Sequence, residues 1–132
     1  MKNLALSLAA VLLPLSAAAA ANEPAVAPRE LGVESSIVFP SASSIRNWQA
    51  DRDRGIWIQG RGNAWYYGTF AGLCRDIDFA QAIGFETRGA GRLDKFSAII
   101  VRGERCQLSS FVSSAPPPSK QEKDAAKKAS EN

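Results

Sequence analysis

Two pairs of short segments in the middle of the chain are rich in β-branched and aromatic side chains and are separated by turn signals, a pattern typical of β-strands. The first pair covers residues 55–59 and 64–70, and the glycine-rich run between them, residues 60–63, is a strong turn signal. Cross-strand contacts between such side chains stabilise a sheet, so a first β-hairpin is predicted here. With a loop of two or four residues, the register pairs Ile58 with Trp65, Trp57 with Tyr66, and Ile56 with Tyr67.

The second pair of segments covers residues 96–101 and 106–112, around a turn at residues 102–105. Gly103, at the first central position of that turn, suits the type II′ geometry that matches the twist of a hairpin. Both faces carry apolar side chains, so this hairpin is expected to be covered on more than one side. The predicted register pairs Val101 with Cys106, Ile99 with Leu108, and Phe96 with Phe111.

The segment between the two hairpins predicts one short helix. Asp76 or Asp78 can cap its N-terminus, and Gly84 can end it. Phe79 and Ile83 are four residues apart, so they share the helical face that would pack on the sheet. The predicted fold is therefore mainly β (α+β), a small antiparallel sheet or partly closed barrel built from two hairpins with one short helix. The pattern leaves open which face of the sheet is buried.

The first 21 residues have the three-part pattern of a secretory signal peptide. Lys2 supplies the positive start, residues 4–15 are apolar and uncharged, and small residues follow. Cleavage is predicted after Ala21, or alternatively after Ala20. The apolar run is short for a membrane span, so no stable membrane insertion is expected after cleavage. This pattern predicts a periplasmic or secreted protein.

The rest of the chain divides into a leader, a domain and a tail. Residues 22–35 contain no aromatic residue and are predicted to be a flexible leader. Residues 36–114 contain all eleven aromatic side chains and are predicted to form a single globular domain. Residues 115–132 begin with three prolines within their first four positions and lack Leu, Ile, Val and aromatic residues. With nothing to bury, this tail is predicted to be disordered, with at most a transient helix over residues 124–129.

The chain has 132 residues, no His and two Cys, Cys74 and Cys106. Without His, neither a histidine general base nor a Ser-His or Cys-His nucleophile pair can be built. In an oxidising compartment, two cysteines are most simply one disulfide, worth about 3.7 kcal/mol in the chain-entropy model. The alternative is a redox or catalytic thiol, which lacks a Cys-x-x-Cys motif here.

Carboxylate pairs are the other candidates for chemistry. Asp51 and Asp53 have the spacing of a calcium loop, but the intervening Arg residues and the missing late carboxylate favour a charged surface turn. Asp76 and Asp78 are a possible acid/base pair, although helix capping explains them more simply. No catalytic residue, metal ligand or cofactor is therefore predicted.

Arginine is unusually frequent in the predicted domain, which has nine Arg and one Lys. Arginine stacks on aromatic rings and forms forked bonds with carboxylates and phosphates. The alternative is ordinary surface charge paired with acidic residues. The net charge of +3 is too small to indicate nucleic-acid binding. A binding surface for an anionic envelope polymer or a periplasmic protein is predicted at Arg61, Trp65, Tyr67, Arg102 and Arg105.

Several short motifs together resemble a known family. They are Trp65-Tyr66, Cys74, Phe79-Ala80, Ile83-Gly84-Phe85, Asp94-Lys95-Phe96 and the run of residues 101–106, Val-Arg-Gly-Glu-Arg-Cys. This set, spread over residues 45–111, resembles a family of small exported proteobacterial proteins of unknown function. The resemblance implies a secreted or periplasmic single-domain protein with an internal disulfide. It implies no activity, catalytic residue or ligand.

The functional prediction is an exported small disulfide-bonded domain without enzymatic activity, acting as a binding or structural protein of the cell envelope. The absence of a nucleophile–base pair favours this reading. The alternative is a small hydrolase that uses carboxylates on an envelope polymer.

Overall fold

The computed structural model describes residues 29–39, 44–89 and 91–131. The predicted signal peptide, its cleavage site and the first part of the leader lie outside these described residues. No helix in the described part of the chain is long and apolar enough to cross a membrane.

Antiparallel strands dominate the structure. The strands are β1 (Ile37–Val38), β2 (Asn47–Asp51), β3 (Gly55–Gln59), β4 (Trp65–Phe70), β5 (Gly84–Glu86), β6 (Arg92–Leu93), β7 (Ala98–Val101) and β8 (Glu104–Ser114). Six of them form one sheet in the order β2-β3-β4-β8-β7-β5, and β1 pairs with β6 in a second, small sheet. The larger sheet is curled into a half-barrel, which confirms the mainly β prediction with its partly closed barrel.

The core lies against one face of the larger sheet. In β3, Ile56 and Ile58 are fully buried while Trp57 between them is partly exposed, as strand alternation requires. The small sheet adds Ile37 and Leu93 to the same core. The largest fully buried side chains are Phe111, Ile56, Ile58, Ile77, Leu93, Ile99 and Val101.

The first hairpin is present, but its predicted register is wrong by one residue. Its loop has five residues and contains a single 3₁₀ turn at Arg61–Asn63. A loop with an odd number of residues shifts the pairing by one, so Trp57 pairs with Tyr67 and Ile58 with Tyr66. Trp57 and Tyr67 therefore share the face of the sheet that points away from the core.

The second hairpin is also present, with a register shifted by two residues from the prediction. Arg102 and Gly103 alone form its turn, and both have positive φ, as in type I′ rather than type II′. Ile99 consequently pairs with Cys106. A shift of two leaves each side chain on its face, so Ile99, Val101, Cys106 and Leu108 still share one face, and that face is buried. Phe96 lies outside the strand and is exposed.

The short helix predicted between the hairpins is wrong. The segment forms only one 3₁₀ turn, Ile77–Phe79, and then continues extended into β5. Asp76 adopts a left-handed conformation and makes no side-chain capping bond. Phe79 is 74% exposed and therefore does not pack on the sheet as predicted. Ile77, two residues earlier, is the buried side chain of this segment.

The Cys74–Cys106 disulfide is present, as predicted. Its Cα atoms are 5.4 Å apart, and both residues are buried. The bond joins the segment after β4 to the start of β8, so it closes the sheet onto the loop that carries Ile77.

The described part of the leader is paired rather than free. Gly32 N donates to Ser113 O at 2.7 Å, and Ser35 N donates to Phe111 O at 2.9 Å. The Arg29 guanidinium lies 4.3 Å from the centre of the Tyr66 ring. Residues 29–35 therefore run alongside β8, which differs from the prediction of a flexible leader over this stretch.

The tail contains an α-helix, α1 (Lys120–Ser130), where the sequence predicts disorder. A capping box starts it. Ser119 Oγ accepts from Glu122 N at 3.3 Å, and Glu122 Oε2 accepts from Ser119 N at 2.6 Å. These two bonds satisfy backbone donors that the first helical turn leaves unpaired, which favours a helix even without apolar residues. Every residue of α1 is exposed.

Candidate functional site

Trp57 and Tyr67 form an aromatic pair on the outer face of the sheet. Their ring centroids are 5.1 Å apart and their planes are tilted by 59°. The Tyr67 hydroxyl donates to Asp51 Oδ2 at 2.8 Å. Gly55 makes this position possible, because a Cβ there would collide with the Tyr67 hydroxyl. The ring of Tyr67 therefore lies across β3 with its hydroxyl fixed.

The Tyr67 hydroxyl remains a proton donor over a wide pH range. Partial burial, then the hydrogen bond to Asp51 and the negative charge of that carboxylate, raise the pKa of Tyr67 to about 12. Arg54 acts in the opposite direction, and its Nη2 lies 3.4 Å from Asp51 Oδ1. Asp51 thus contacts Tyr67 through one oxygen and Arg54 through the other.

A groove of about 610 Å³ lies between α1 and the outer face of the sheet, and we call it the α1 groove. The Trp57 side chain is its aromatic surface, and Pro118 lies at the end from which α1 departs. Its charged lining residues are the cations Arg52, Arg54, Lys123 and Lys127 and the carboxylates Asp51, Asp78 and Asp124.

One face of α1 forms a wall of the groove. Lys123, Lys127 and Ser130 line it at spacings of four and three residues, which places them on the same side of a helix. The Lys123 ammonium lies 6.0 Å from the centre of the Trp57 ring, at the outer limit of a cation–π contact. Lys120 and Lys128 belong to the same helix but do not line the groove.

The charges of the groove are unequally engaged. Asp51 is bonded to Tyr67 and paired with Arg54. Within the described ranges, Arg52 and Lys127 have no ion-pair partner. Arg52 has a positive φ of 53° at the β2–β3 turn and is exposed. The groove therefore presents unpaired cations beside an indole ring, an arrangement suited to a ligand with both acidic groups and a flat apolar surface.

The five residues predicted as one binding surface lie in separate places. Trp65 pairs with Ser114, the last residue of β8. The turn between β7 and β8 is at the opposite end of that strand, so Arg61 and Trp65 lie at the end of the sheet far from this turn. Arg102 and Arg105 are at the other end. Of the five predicted residues, Tyr67 packs against Trp57, the aromatic surface of the groove.

Arg102, in the β7–β8 turn, and Arg105, near the start of β8, have partners of their own. Arg105 Nε lies 2.8 Å from Glu86 Oε1 in an ion pair. Arg102 Nη2 donates to the backbone oxygen of Phe79 at 3.5 Å. Both contacts connect this end of the β7–β8 hairpin to residues 79–86, which include β5.

Each candidate carboxylate pair has one member in the α1 groove, Asp51 or Asp78. Asp51 is the last residue of β2 and Asp53 lies in the turn that follows, where Asp53 O accepts from Cys74 N at 3.0 Å. Asp78 lines the α1 groove, whereas Asp76 does not. Among the residues that the structure places, no group of three or more acidic or cysteine side chains could hold a metal ion.

Sequence reasoning missed the groove for two reasons. The one-residue register error hid the Trp57–Tyr67 pair, and the tail was expected to contribute nothing. One usable signal was present: Ser119 followed three residues later by Glu122 is the sequence pattern of a capping box.

No curated protein and no solved structure matches the chain. One family model matches, a family of unknown function designated DUF6491, and it spans residues 1–132. That match includes the leader and the tail, whereas the resemblance seen in the sequence was confined to residues 45–111. The chain therefore belongs to DUF6491, a family whose function is unknown.

Proposed function

We propose that this protein is an exported, non-enzymatic component of the cell envelope that binds an anionic partner in the α1 groove. The observation that carries the proposal is the position of the Trp57 ring beside the cations Arg52, Lys123 and Lys127. An aromatic ring with unpaired cations around it is a common recognition surface for anions with apolar parts.

Two observations support export. Disulfides persist in oxidising compartments, and this domain has a buried one between Cys74 and Cys106. The first 21 residues have the pattern of a signal peptide. Mass spectrometry of the periplasmic fraction is expected to find a chain that begins at Asn22 or Ala21, with both cysteines oxidised. A chain that retains Met1 in the cytoplasm, with free thiols, would contradict export.

The partners of Asp51 favour a role without catalysis. A hydrolase of the glycosidase type needs two carboxylates facing one bond. In the groove, both oxygens of Asp51 are engaged, by Tyr67 and by Arg54. Asp76 does not line the groove, so a two-carboxylate hydrolase at this place would have to use Asp78 and Asp124. The sequence has no His to serve as a general base.

Anion binding is tested by calorimetric titration with two unlike polyanions, inorganic polyphosphate and polygalacturonate. At least one is expected to bind, and Lys123→Ala/Lys127→Ala is expected to weaken that binding about tenfold or more, about 1.4 kcal/mol. The matched control is Lys120→Ala/Lys128→Ala, which removes the same charge from the same helix outside the groove.

The two double variants separate groove binding from general attraction to a basic protein. Equal losses in both would show that net charge alone attracts the polymer, against the proposal. Failure of both polyanions to bind the wild-type protein would also overturn it.

A further inference from the structure

We infer that the ligand of the α1 groove is an acidic glycan, a carbohydrate chain that carries carboxylate groups. The inference rests on the proposed function, because it names the class of anion that this groove accepts. It follows from three features of the groove: a rigid aromatic surface, carboxylates among the cations, and its size.

The aromatic surface is held in place before any ligand arrives. Tyr67 packs against Trp57 with their ring centroids 5.1 Å apart, and the Tyr67 hydroxyl donates a hydrogen bond of 2.8 Å to Asp51 Oδ2. A rigid indole offers a large contact area with little loss of side-chain entropy. The flat C–H face of a sugar ring can cover such a surface, whereas a phosphate chain has no apolar face to place there.

The polar lining contains acceptors as well as donors. Asp78 and Asp124 lie in the same groove as Arg52, Lys123 and Lys127. A polyphosphate has only acceptor oxygens and negative charge, so these two carboxylates repel it. Sugar hydroxyls donate to carboxylates, while the acid groups of the glycan accept from the cations. A ligand with both hydroxyls and carboxylates therefore satisfies the whole lining.

The volume agrees with a short segment of a chain. About 610 Å³ is within the usual range of sites for small organic ligands. It is larger than a site for one inorganic anion, and the unpaired cations come from two elements, α1 and the β2–β3 turn. A segment of a few sugar rings can contact both.

The test compares three probes of similar length by calorimetry on the mature protein: oligogalacturonate, the neutral cello-oligosaccharide and inorganic polyphosphate. Oligogalacturonate is expected to bind about tenfold or more tightly than either of the others. Trp57→Ala is expected to abolish the preference for oligogalacturonate over polyphosphate, and Trp57→Phe to keep part of it.

A second variant remains informative even if Trp57→Ala does not fold. Asp78→Ala/Asp124→Ala is expected to weaken binding of oligogalacturonate at least threefold and to strengthen binding of polyphosphate, because the carboxylates accept hydroxyls and repel phosphate. Glu104→Ala/Glu131→Ala is the control, since it removes two exposed carboxylates outside the groove.

The outcomes distinguish this inference from the proposed function. Binding of polyphosphate with no preference for oligogalacturonate would overturn the glycan assignment and leave anion binding intact. Absence of binding by both would overturn both. New reducing ends in the oligogalacturonate sample would identify a hydrolase and contradict the non-enzymatic role. A stronger interaction of both anions with Asp78→Ala/Asp124→Ala would also contradict the glycan assignment.

Discussion

Gly55 shows how a single missing side chain shapes the outer face of the sheet. It is buried at the start of β3, directly under the Tyr67 ring. An added Cβ would meet the Tyr67 hydroxyl and would lie 2.7 Å from Gly68 O. The aromatic ring occupies the space that the glycine leaves, and this keeps Tyr67 beside Trp57 and in reach of Asp51.

Gly55→Ala is expected to destabilise the domain by about 1–3 kcal/mol, the range typical of overpacking. Chemical denaturation followed by tryptophan fluorescence measures the loss. Gly72→Ala is the matched control, because no heavy atom lies within 4 Å of the position of its Cβ. Equal stability of the two variants would show that Tyr67 does not occupy this position.

The raised pKa of Tyr67 makes a separate prediction at high pH. A group whose pKa is higher in the folded state contributes stability that is fully present below its unfolded pKa, here the ordinary value of 10.0. That stability is lost as the pH rises towards about 12. Tyrosinate absorbance is therefore expected to show a late phase near pH 12 that Tyr67→Phe removes. If Tyr67→Phe instead removes a phase near pH 10, the bond to Asp51 is contradicted.

At the scale of elements, hairpins were predictable and their registers were not. Runs of β-branched and aromatic residues, bounded by turn signals, identified both pairs of strands. The register of a hairpin depends on the number of residues in its loop. The sequence suggested a loop of two or four residues, whereas the structure has a loop of five in which Asn63 adopts a positive φ. Residues 76–84 were also misjudged, because their capping residues suggested a helix. In the structure they form only one 3₁₀ turn, in which Ile77 is buried.

Helix α1 depends on its capping box more than on packing. It has eleven residues, all exposed, and isolated helices of this length are only marginally stable. The hydrogen bonds with Ser119 hold the pKa of Glu122 below its ordinary value of 4.5. A depressed carboxyl pKa contributes stability above the unfolded pKa, which is lost as the pH falls through the folded value.

Helix α1 is therefore expected to lose helicity as the pH falls through the lowered pKa of Glu122, while the sheet persists. Nuclear magnetic resonance chemical shifts of residues 120–130 report this directly. Glu122→Gln is the control, because its amide oxygen can still accept from Ser119 N but does not titrate in this range. Equal pH dependence of the two proteins would contradict the role of the Glu122 carboxylate.

At the scale of the whole molecule, a small domain is closed by one covalent bond. The disulfide spans 32 residues and joins two buried positions. Its pairing was predictable because only two cysteines exist in the chain. The site was less predictable, since it combines residues from β2, β3 and the tail that no local pattern connects.

Cys106→Ser is expected to lower the free energy of unfolding by about 2–5 kcal/mol, because the unfolded chain gains the freedom of the open loop. Thermal or chemical denaturation measures the change. Cys74→Ser/Cys106→Ser is expected to cost little more, since the single variant already lacks the bond. Unchanged stability in Cys106→Ser would indicate that the two thiols are not joined in the native protein.

Chemical-shift mapping shows which residues of the protein contact a ligand, so it tests whether the α1 groove is the binding site. Isotope-labelled mature protein is titrated with oligogalacturonate and, separately, with polyphosphate. The largest changes are expected at the Trp57 indole N–H and at the amides of residues 123–127, on the groove face of α1. Changes concentrated instead at Arg102 and Arg105, or at Arg61 and Trp65, would place the binding surface at an end of the sheet and would contradict binding in the α1 groove.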